Sequence, residues 1–86
     1  MAEDKRVERL RFRSWHRGTR EMDLLLGSFA DEHLHAFTAA QLDDYERVLE
    51  ANDPDVYEWI TGSKELPAAF QNDVTRMICA HKFAGK

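Results

Sequence analysis

The chain has 86 residues, a net charge of −4 and one cysteine, Cys79, which together describe one small globular domain. A lone cysteine cannot form an intrachain disulfide or a cysteine-based zinc site, and it favours a reducing compartment, so we expect a cytoplasmic location. The charged N-terminus does not resemble a signal peptide. No apolar run approaches the roughly 20 residues of a membrane helix, so we expect no membrane insertion.

The charge is unevenly distributed along the chain. Residues 1–20 carry seven Lys/Arg and three acids, residues 21–60 one base and eleven acids, and residues 61–86 four bases and two acids. A nucleic-acid-binding domain usually presents a continuous basic face, which the acidic middle interrupts. This distribution favours a partner protein with a charged surface of its own. The basic stripe of the first predicted helix consists of Arg6, Arg9 and Arg13.

Hydrophobic periodicity predicts two helices in the first third of the chain, with Gly18 interrupting between them. The second repeats apolar residues at the i, i+3, i+4 and i+7 positions of an amphipathic helix. The inward positions are Val7, Leu10 and Ser14 in the first helix, and Met22, Leu25, Leu26 and Phe29 in the second.

Capping residues predict the starts of the next two helices. Thr38 and Gln41 have the spacing of a capping box, in which each side chain accepts a backbone N–H of the other residue. Asp53 is predicted as the N-cap of a fourth helix, with Pro54 at its first position and Gly62 as its stop. The inward residues are Leu42, Tyr45, Val48 and Leu49 in the third helix, and Val56, Trp59 and Ile60 in the fourth.

Pro67 is predicted to open a fifth helix that Gly85 ends. No strand-like alternation or internal repeat is present. We therefore predict an all-α fold, a small irregular antiparallel bundle of about five helices, forming a single domain over residues 1–86 with its core at about 6–83. The inward residues of the fifth helix are Phe70, Val74, Met77, Ile78 and His81.

Two groups of reactive side chains indicate no chemistry of their own. His33 and His35 stand two positions apart, which on a helix places them on different faces, so we expect solvated surface and no metal site. Cys79 lies beside Ile78 without an activating neighbour and is expected to pack in the core. Because no phosphate-binding loop or nucleophile motif occurs either, we expect no catalytic residue and no enzyme.

The segment from Trp15 to Asp23 carries the strongest functional signal. Glu21 suits the first turn of the second helix, whereas Arg17 places a positive charge near a helix start, where it is unfavourable. We therefore expect Arg17 to serve a partner, and its truncation to leave folding almost unchanged. Gly18 has no side chain and therefore leaves room for the backbone of a partner to lie close. The predicted partner-binding residues are Trp15, His16, Arg17, Gly18, Arg20, Glu21 and Asp23.

The segment Arg17-Gly18-Thr19-Arg20-Glu21 resembles the R-G-x-x-E signature of the small FAD assembly factors, or flavinators, of succinate dehydrogenase. The resemblance continues through Asp23, Phe29, the D-P-D-V-Y-E-W segment at residues 53–59 and the last helix, covering about residues 6–82. It departs at His16, where many relatives carry a second basic residue, a difference that leaves the motif intact.

The resemblance implies a five-helix bundle that binds the flavoprotein subunit of succinate dehydrogenase, and in some bacteria that of fumarate reductase. Such proteins promote covalent attachment of FAD to a histidine of that subunit. Arg17, Gly18 and Glu21 would lie against the flavoprotein. The covalent chemistry would belong to the flavoprotein, and this chain would hold no FAD tightly itself.

Two other functions stay open at this point. A regulatory, antitoxin-like module would bind a different protein through the same residues. A nucleic-acid-binding bundle would stack Phe12 and Trp15 on bases beside the basic stripe. Identification of the partner separates all three.

Overall fold

The computed structural model describes residues 2–81, with side chains from residue 4 onward, and within them five α-helices and two 3₁₀ turns follow one another. No strand occurs among these residues, so the predicted all-α bundle of about five helices is confirmed. The helices are α1 (Ala2–Trp15), α2 (Arg20–His33), α3 (Ala39–Glu50), α4 (Asp53–Thr61) and α5 (Asp73–Ala80); the turns are Leu34–Ala36 and Ala68–Phe70.

The hydrophobic core lies where α1 packs on α2 and α3, and α5 closes it against α3 and α4. Most of the predicted inward positions of α2 and α3 are buried there, because an amphipathic helix removes its apolar stripe from water. No helix within residues 2–81 is both long and apolar enough to span a membrane. The buried core residues are Leu10, Met22, Leu26, Phe29, Ala30, Leu34, Leu42, Tyr45, Val48, Leu49, Val56, Val74 and Ile78.

A buried hydroxyl pair ties three helices together at the centre of this core. The Tyr45 hydroxyl oxygen of α3 lies 3.2 Å from the carbonyl oxygen of Leu26 in α2 and 2.6 Å from the hydroxyl oxygen of Ser14 in α1. The Ser14 oxygen lies 2.7 Å from the Leu10 carbonyl oxygen, so the two hydroxyl hydrogens are shared among three contacts. Ser14 and Tyr45 are fully buried, and burial raises the pKa of Tyr45 above its ordinary value.

Local capping chemistry fixes the start of α3 and the C-terminal end of α4 as predicted. The Thr38 hydroxyl accepts the Gln41 N–H at 3.2 Å, and the Gln41 side chain accepts the Thr38 N–H at 2.9 Å, which completes the capping box. Gly62 ends α4 with a φ of +86°, a left-handed conformation that favours glycine.

The predicted start of the fifth helix at Pro67 is wrong. Pro67 precedes only the 3₁₀ turn, and α5 begins at Asp73 behind Asn72. The Asn72 side chain accepts the Thr75 N–H at 2.9 Å and the Thr75 hydroxyl accepts the Asn72 N–H at 3.2 Å, so a second capping box sets this start. The helix ends at Ala80, with His81 extended, and Gly85 lies outside the described residues.

The inward face of α4 is less deeply buried than that of α3. Val56 is buried, whereas Trp59 and Ile60 are partly exposed while packing against the core. The Trp59 ring lies 4.9 Å from that of Phe70. Cys79 is half-buried, with Sγ 3.5 Å from the Trp59 carbonyl oxygen, and burial raises its pKa, which disfavours the reactive thiolate.

His33 does not lie on a solvated surface, contrary to expectation. Its ring packs 4.6 Å from that of Phe29 and 6.4 Å from that of Phe37, so the imidazole is half-buried. The 3₁₀ turn after α2 brings Phe37 back over this helix end, a tertiary contact that spacing on one helix does not reveal. His35 is exposed, as expected.

Arg6 and Arg13 of the basic stripe face acids of α3, and Arg11 of the same helix faces an acid of α2. Arginines in α1 meet carboxylates from the acidic middle of the chain, so the two oppositely charged segments partly neutralise each other within the fold. These pairs are solvent-exposed to varying degrees and contribute little stability individually. They are Arg6–Asp43 (2.5 Å), Arg6–Glu46 (3.0 Å), Arg13–Glu46 (3.6 Å) and Arg11–Asp31 (2.9 Å).

Candidate partner-binding surface

Hydrogen bonds from backbone N–H groups to side chains stabilise the loop between α1 and α2. Gly18 has a φ of +117°, which a residue with a side chain rarely adopts, so the predicted turn is confirmed. The Arg17 N–H donates to Asp23 Oδ1 at 2.5 Å, and the Thr19 hydroxyl caps α2 by accepting the Met22 N–H at 3.2 Å. The Asp23 carboxylate therefore stabilises this loop.

The Arg17 side chain is buried beneath the loop. It is only 11% exposed, and its guanidinium lies between the end of α3 and the start of α4. Nε and Nη2 donate to Asp53 Oδ1 at 2.9 and 2.6 Å. Nη1 donates to the carbonyl oxygen of Leu49 at 2.6 Å and Nη2 to that of Ala51 at 3.2 Å. The expectation that Arg17 contributes little to the fold is wrong.

The electrostatics of α3 explain this position. The last carbonyl groups of a helix have no partner within it, and this end carries a partial negative charge. Leu49 lies in the last turn of α3 and Ala51 is its C-cap, so the Arg17 cation satisfies both carbonyls. Sequence spacing related Arg17 to α2, which follows it in the chain, whereas the side chain serves the end of α3.

Asp53 has a different role from the predicted one as well. The N-cap of α4 is Asn52, which makes no side-chain capping bond, and Asp53 is the first residue of the helix. Its carboxylate accepts two hydrogen bonds from Arg17 while lying at a helix start, where a negative charge is favourable. Asp53 thus joins the α1–α2 loop to α4.

Trp15 and His16 lie on either side of the α1 terminus. The Trp15 indole packs over Gly27 of α2, where a Cβ would come within 2.6 Å of three ring atoms, and its Nε1 donates to Asp31 at 3.3 Å. His16 is exposed and stacks on Phe12 at 4.0 Å, also exposed. Trp15 therefore joins two helices, and His16 faces solvent. The sequence analysis did not predict this role of Gly27. The only signal in the sequence is a glycine within a helical pattern.

A shallow groove of about 190 Å³ opens beside this loop. The starts of α2 and α4 form its two sides, and Asp53, with its charge paired to Arg17, lies in its wall. Glu21 is exposed on one side, and no described residue forms a hydrogen bond or ion pair with its carboxylate. Tyr57, at 37% exposure, lies on the other side. The groove is lined by Thr19, Glu21, Met22, Asp53, Pro54 and Tyr57.

The predicted site residues therefore divide into two groups. Arg17, Asp23 and Trp15 have their polar atoms engaged within the fold. Arg20 and Glu21 are exposed, and among residues 2–81 neither side chain has a partner. A Cβ on Gly18 would meet no atom within 4 Å, so the space beside it is open. His16 is exposed as well. Tyr57 was not predicted as a site residue, and only its exposure in the structure identifies it as one.

Relatives with assigned names share most of this chain. It is 40% identical over 78 residues to the mitochondrial succinate dehydrogenase assembly factor 2 of Dictyostelium discoideum, covering 91% of this chain and 55% of that protein. It is 43% identical over 70 residues to the FAD assembly factor SdhE of Acetobacter pasteurianus, covering 78% and 64%. For succinate dehydrogenase assembly factor 2-B of Drosophila melanogaster the identity is 35% over 80 residues, covering 91% and 51%.

The chain spans about half to two thirds of the length of these relatives. Residues 8–82, nearly all of the described helices, match the family model for the flavinator of succinate dehydrogenase. That range includes both segments that meet at the groove, the α1–α2 loop and the start of α4. The chain belongs to the family of succinate dehydrogenase flavinators.

Proposed function

We propose that this chain is an assembly factor that binds the flavoprotein subunit of succinate dehydrogenase and promotes covalent attachment of FAD to that subunit. One observation carries the proposal beyond family membership. The R-G-T-R-E segment and the D-P-D-V-Y-E-W segment meet through the Arg17–Asp53 ion pair and flank one groove with Glu21 and Tyr57. An exposed aromatic ring beside an unpaired carboxylate is a surface suited to a protein partner.

The residues of this site have two roles: some position the loop and α4, and others would contact the flavoprotein. Arg17 and Asp53 fix the relative position of the loop and α4, and so act as positioning residues. Glu21, Arg20, Tyr57 and the open backbone at Gly18 would contact the flavoprotein. Binding would favour the flavoprotein conformation in which bond formation is fastest, since a partner shifts a population only through contacts that differ between conformations.

The acids around the groove argue against FAD binding there. A pyrophosphate binds where backbone N–H groups at a helix start face an anion without competing carboxylates. The first turns of α2 and α4 instead carry Glu21, Asp23, Asp53 and Asp55. We therefore infer that FAD is held by the flavoprotein alone and that this chain contributes no catalytic group.

The proposal extends to the range of partners and to location. A fumarate reductase flavoprotein with a matching surface would be a second client. Nucleic acid is not a proposed partner, because Arg6, Arg11 and Arg13 are paired with acids of the same chain. The lone Cys79 suits the reducing cytoplasm, where we propose that the complex forms.

The test uses Glu21→Gln, which removes the charge and retains the size of the side chain. We expect flavoprotein binding, measured by calorimetry, to weaken by about 2 kcal/mol, as for an interface hot spot. Covalent flavin fluorescence of the dehydrogenase in cells carrying the variant should fall with it. The melting temperature should fall by only a few degrees, because the Glu21 carboxylate has no partner in residues 2–81 and its charge stabilises the start of α2 by about 0.3–1 kcal/mol at most.

Glu65→Gln is the matched control, since Glu65 is also exposed and unpaired within the described chain but lies away from the groove. It should bind and flavinylate as wild type does. Normal flavinylation in cells carrying a folded Glu21→Gln variant would show that the groove is not part of the interface. Capture of a different protein through the groove, with flavinylation unaffected, would favour the regulatory module instead.

A further inference from the structure

Three side chains that commonly bind metals converge where α2 and α5 end. Glu32 and His33 are the last two residues of α2, and His81 directly follows α5. Glu32 Oε1 lies 3.2 Å from His33 Nε2 and 3.8 Å from His81 Nδ1. One ligand atom from each residue lies within 4.8 Å of the other two. Because His81 is distant in sequence, the spacing of His33 and His35 could not reveal this cluster.

Both separations from the Glu32 carboxylate are close to those of a tetrahedral site, and the two histidine ligand atoms lie within 4.8 Å of each other. Zinc lies about 2.0–2.2 Å from imidazole nitrogen and carboxylate oxygen, which puts neighbouring ligand atoms roughly 3.3 Å apart. The 3.2 Å separation already matches, and the 3.8 Å separation is slightly longer. The Glu32 side chain is 66% exposed, so its carboxylate can move to close the site without disturbing the core.

Packing holds both imidazoles in place. The rings of His33 and His81 lie 4.6 and 5.6 Å from the ring of the same buried residue, Phe29. The His81 side chain is only 9% exposed. The two rings are therefore ordered before an ion binds, which reduces the entropy that binding would otherwise cost.

A contact with α2 holds the outer nitrogen of the His81 ring. Ser28 Oγ lies 2.9 Å from His81 Nε2 and 3.3 Å from the Leu25 carbonyl oxygen. In the tautomer with the proton on Nε2, His81 donates to Ser28 and presents the lone pair of Nδ1 toward Glu32, as metal binding requires. Fixing the outer nitrogen of a ligand histidine in this way is typical of metal sites.

We propose that Glu32, His33 and His81 bind a divalent transition metal ion of the zinc class and thereby join the end of α2 to the end of α5. Two imidazoles and one carboxylate are a donor set that zinc accepts, with a fourth position for water. Magnesium prefers a shell of oxygen ligands and fits this set poorly. The site involves no residue of the groove and is independent of the proposed function.

The experiment titrates zinc chloride into the metal-free full chain, without a histidine tag, by calorimetry and by thermal unfolding. Zinc should bind at one site per chain and raise the melting temperature, because a ligand that binds only the folded state stabilises it. Magnesium chloride at the same concentration should do neither. Glu32→Gln and His81→Gln should each weaken zinc binding at least about tenfold, and Ser28→Ala by about tenfold.

His35→Gln is the matched control, because His35 is exposed and lies outside the cluster. It should bind zinc as wild type does. Glu32→Gln keeps the proposal testable even if a histidine variant unfolds, since Glu32 is an exposed side chain. Unchanged zinc affinity in Glu32→Gln, equal loss in His35→Gln, or no zinc-dependent shift in the wild type would each overturn the proposal.

Discussion

At the scale of single residues, Gly27 allows a close contact between α1 and α2. The Trp15 indole occupies the space where a Cβ would be, at 2.2–2.6 Å from its ring atoms. Helix propensity alone predicts that Gly27→Ala stabilises α2 by about 1 kcal/mol. The overlap predicts the opposite sign, because the indole or the helix must move.

We expect Gly27→Ala to lower the free energy of unfolding by about 1–3 kcal/mol, the usual cost of overpacking. Urea denaturation measures it. The same substitution in a Trp15→Ala background removes the overlap and should be neutral or stabilising. A stabilising effect of Gly27→Ala in the wild-type background would contradict this packing.

Arg17 provides the second prediction at this scale. Truncation to Ala would leave the Asp53 carboxylate and the carbonyls of Leu49 and Ala51 without their donor in a mostly buried place. We expect a loss of about 2–4 kcal/mol in the free energy of unfolding. Arg20→Ala is the control, because Arg20 carries the same charge but is exposed and unpaired among residues 2–81. Equal stability of the two variants would show that the ion pair contributes nothing.

At the scale of elements, Tyr45 connects α1, α2 and α3 through one hydroxyl. Burial raises its pKa, so the phenol stays protonated in the folded state at pH values where an unfolded tyrosine ionises. In that pH range the folded state therefore holds one proton more than the unfolded state, on the Tyr45 phenol. Stability from this group is complete below about pH 10 and is lost as the pH rises further.

The free energy of unfolding of the wild type should therefore fall above about pH 10 more steeply than that of Tyr45→Phe. The difference in slope should approach about 1.4 kcal/mol per pH unit. Denaturant titrations between pH 8 and about pH 11 measure both slopes. Tyr57→Phe, which alters an exposed tyrosine, is the control variant. Parallel curves for wild type and Tyr45→Phe would rule out the buried phenol as the cause.

Helices were predictable from sequence where local chemistry decides their ends. Thr38 and Gln41 form a capping box within four residues, so α3 begins as predicted. Asn72 and Thr75 form the same kind of box, but Pro67 was the more conspicuous signal and α5 was placed too early. Proline fixes only its own φ, whereas Asn72 and Thr75 satisfy backbone donors at the helix start.

At the scale of the whole molecule, the segment that carries the site was predictable while the roles within it were not. The residue pattern identified Arg17, Gly18 and Glu21 as one group. Whether each side chain turns outward or inward depends on α3 and α4, which are remote in sequence. The same limit applies to His33, whose neighbour His81 comes from the other end of the chain.

The charge distribution predicts how the isolated chain responds to FAD. The groove exposes the unpaired carboxylate of Glu21, and the acids in the first turns of α2 and α4 occupy the helix starts that a pyrophosphate would need. Calorimetric titration of FAD into the pure chain should show no submicromolar binding. The flavoprotein, titrated in parallel, is the positive control. Submicromolar binding to the isolated chain would make it a flavin carrier and contradict the division of roles proposed above.

The Arg17–Asp53 ion pair also constrains how sequences of this family can vary. Neither partner can be replaced alone without leaving a mostly buried charge unmatched, so substitutions at the two positions are expected to occur together. A chimera that takes residues 15–23 from a relative lacking the arginine therefore needs residues 49–57 from the same relative. Two stretches that look like independent signatures along the chain would thus be inherited as one unit.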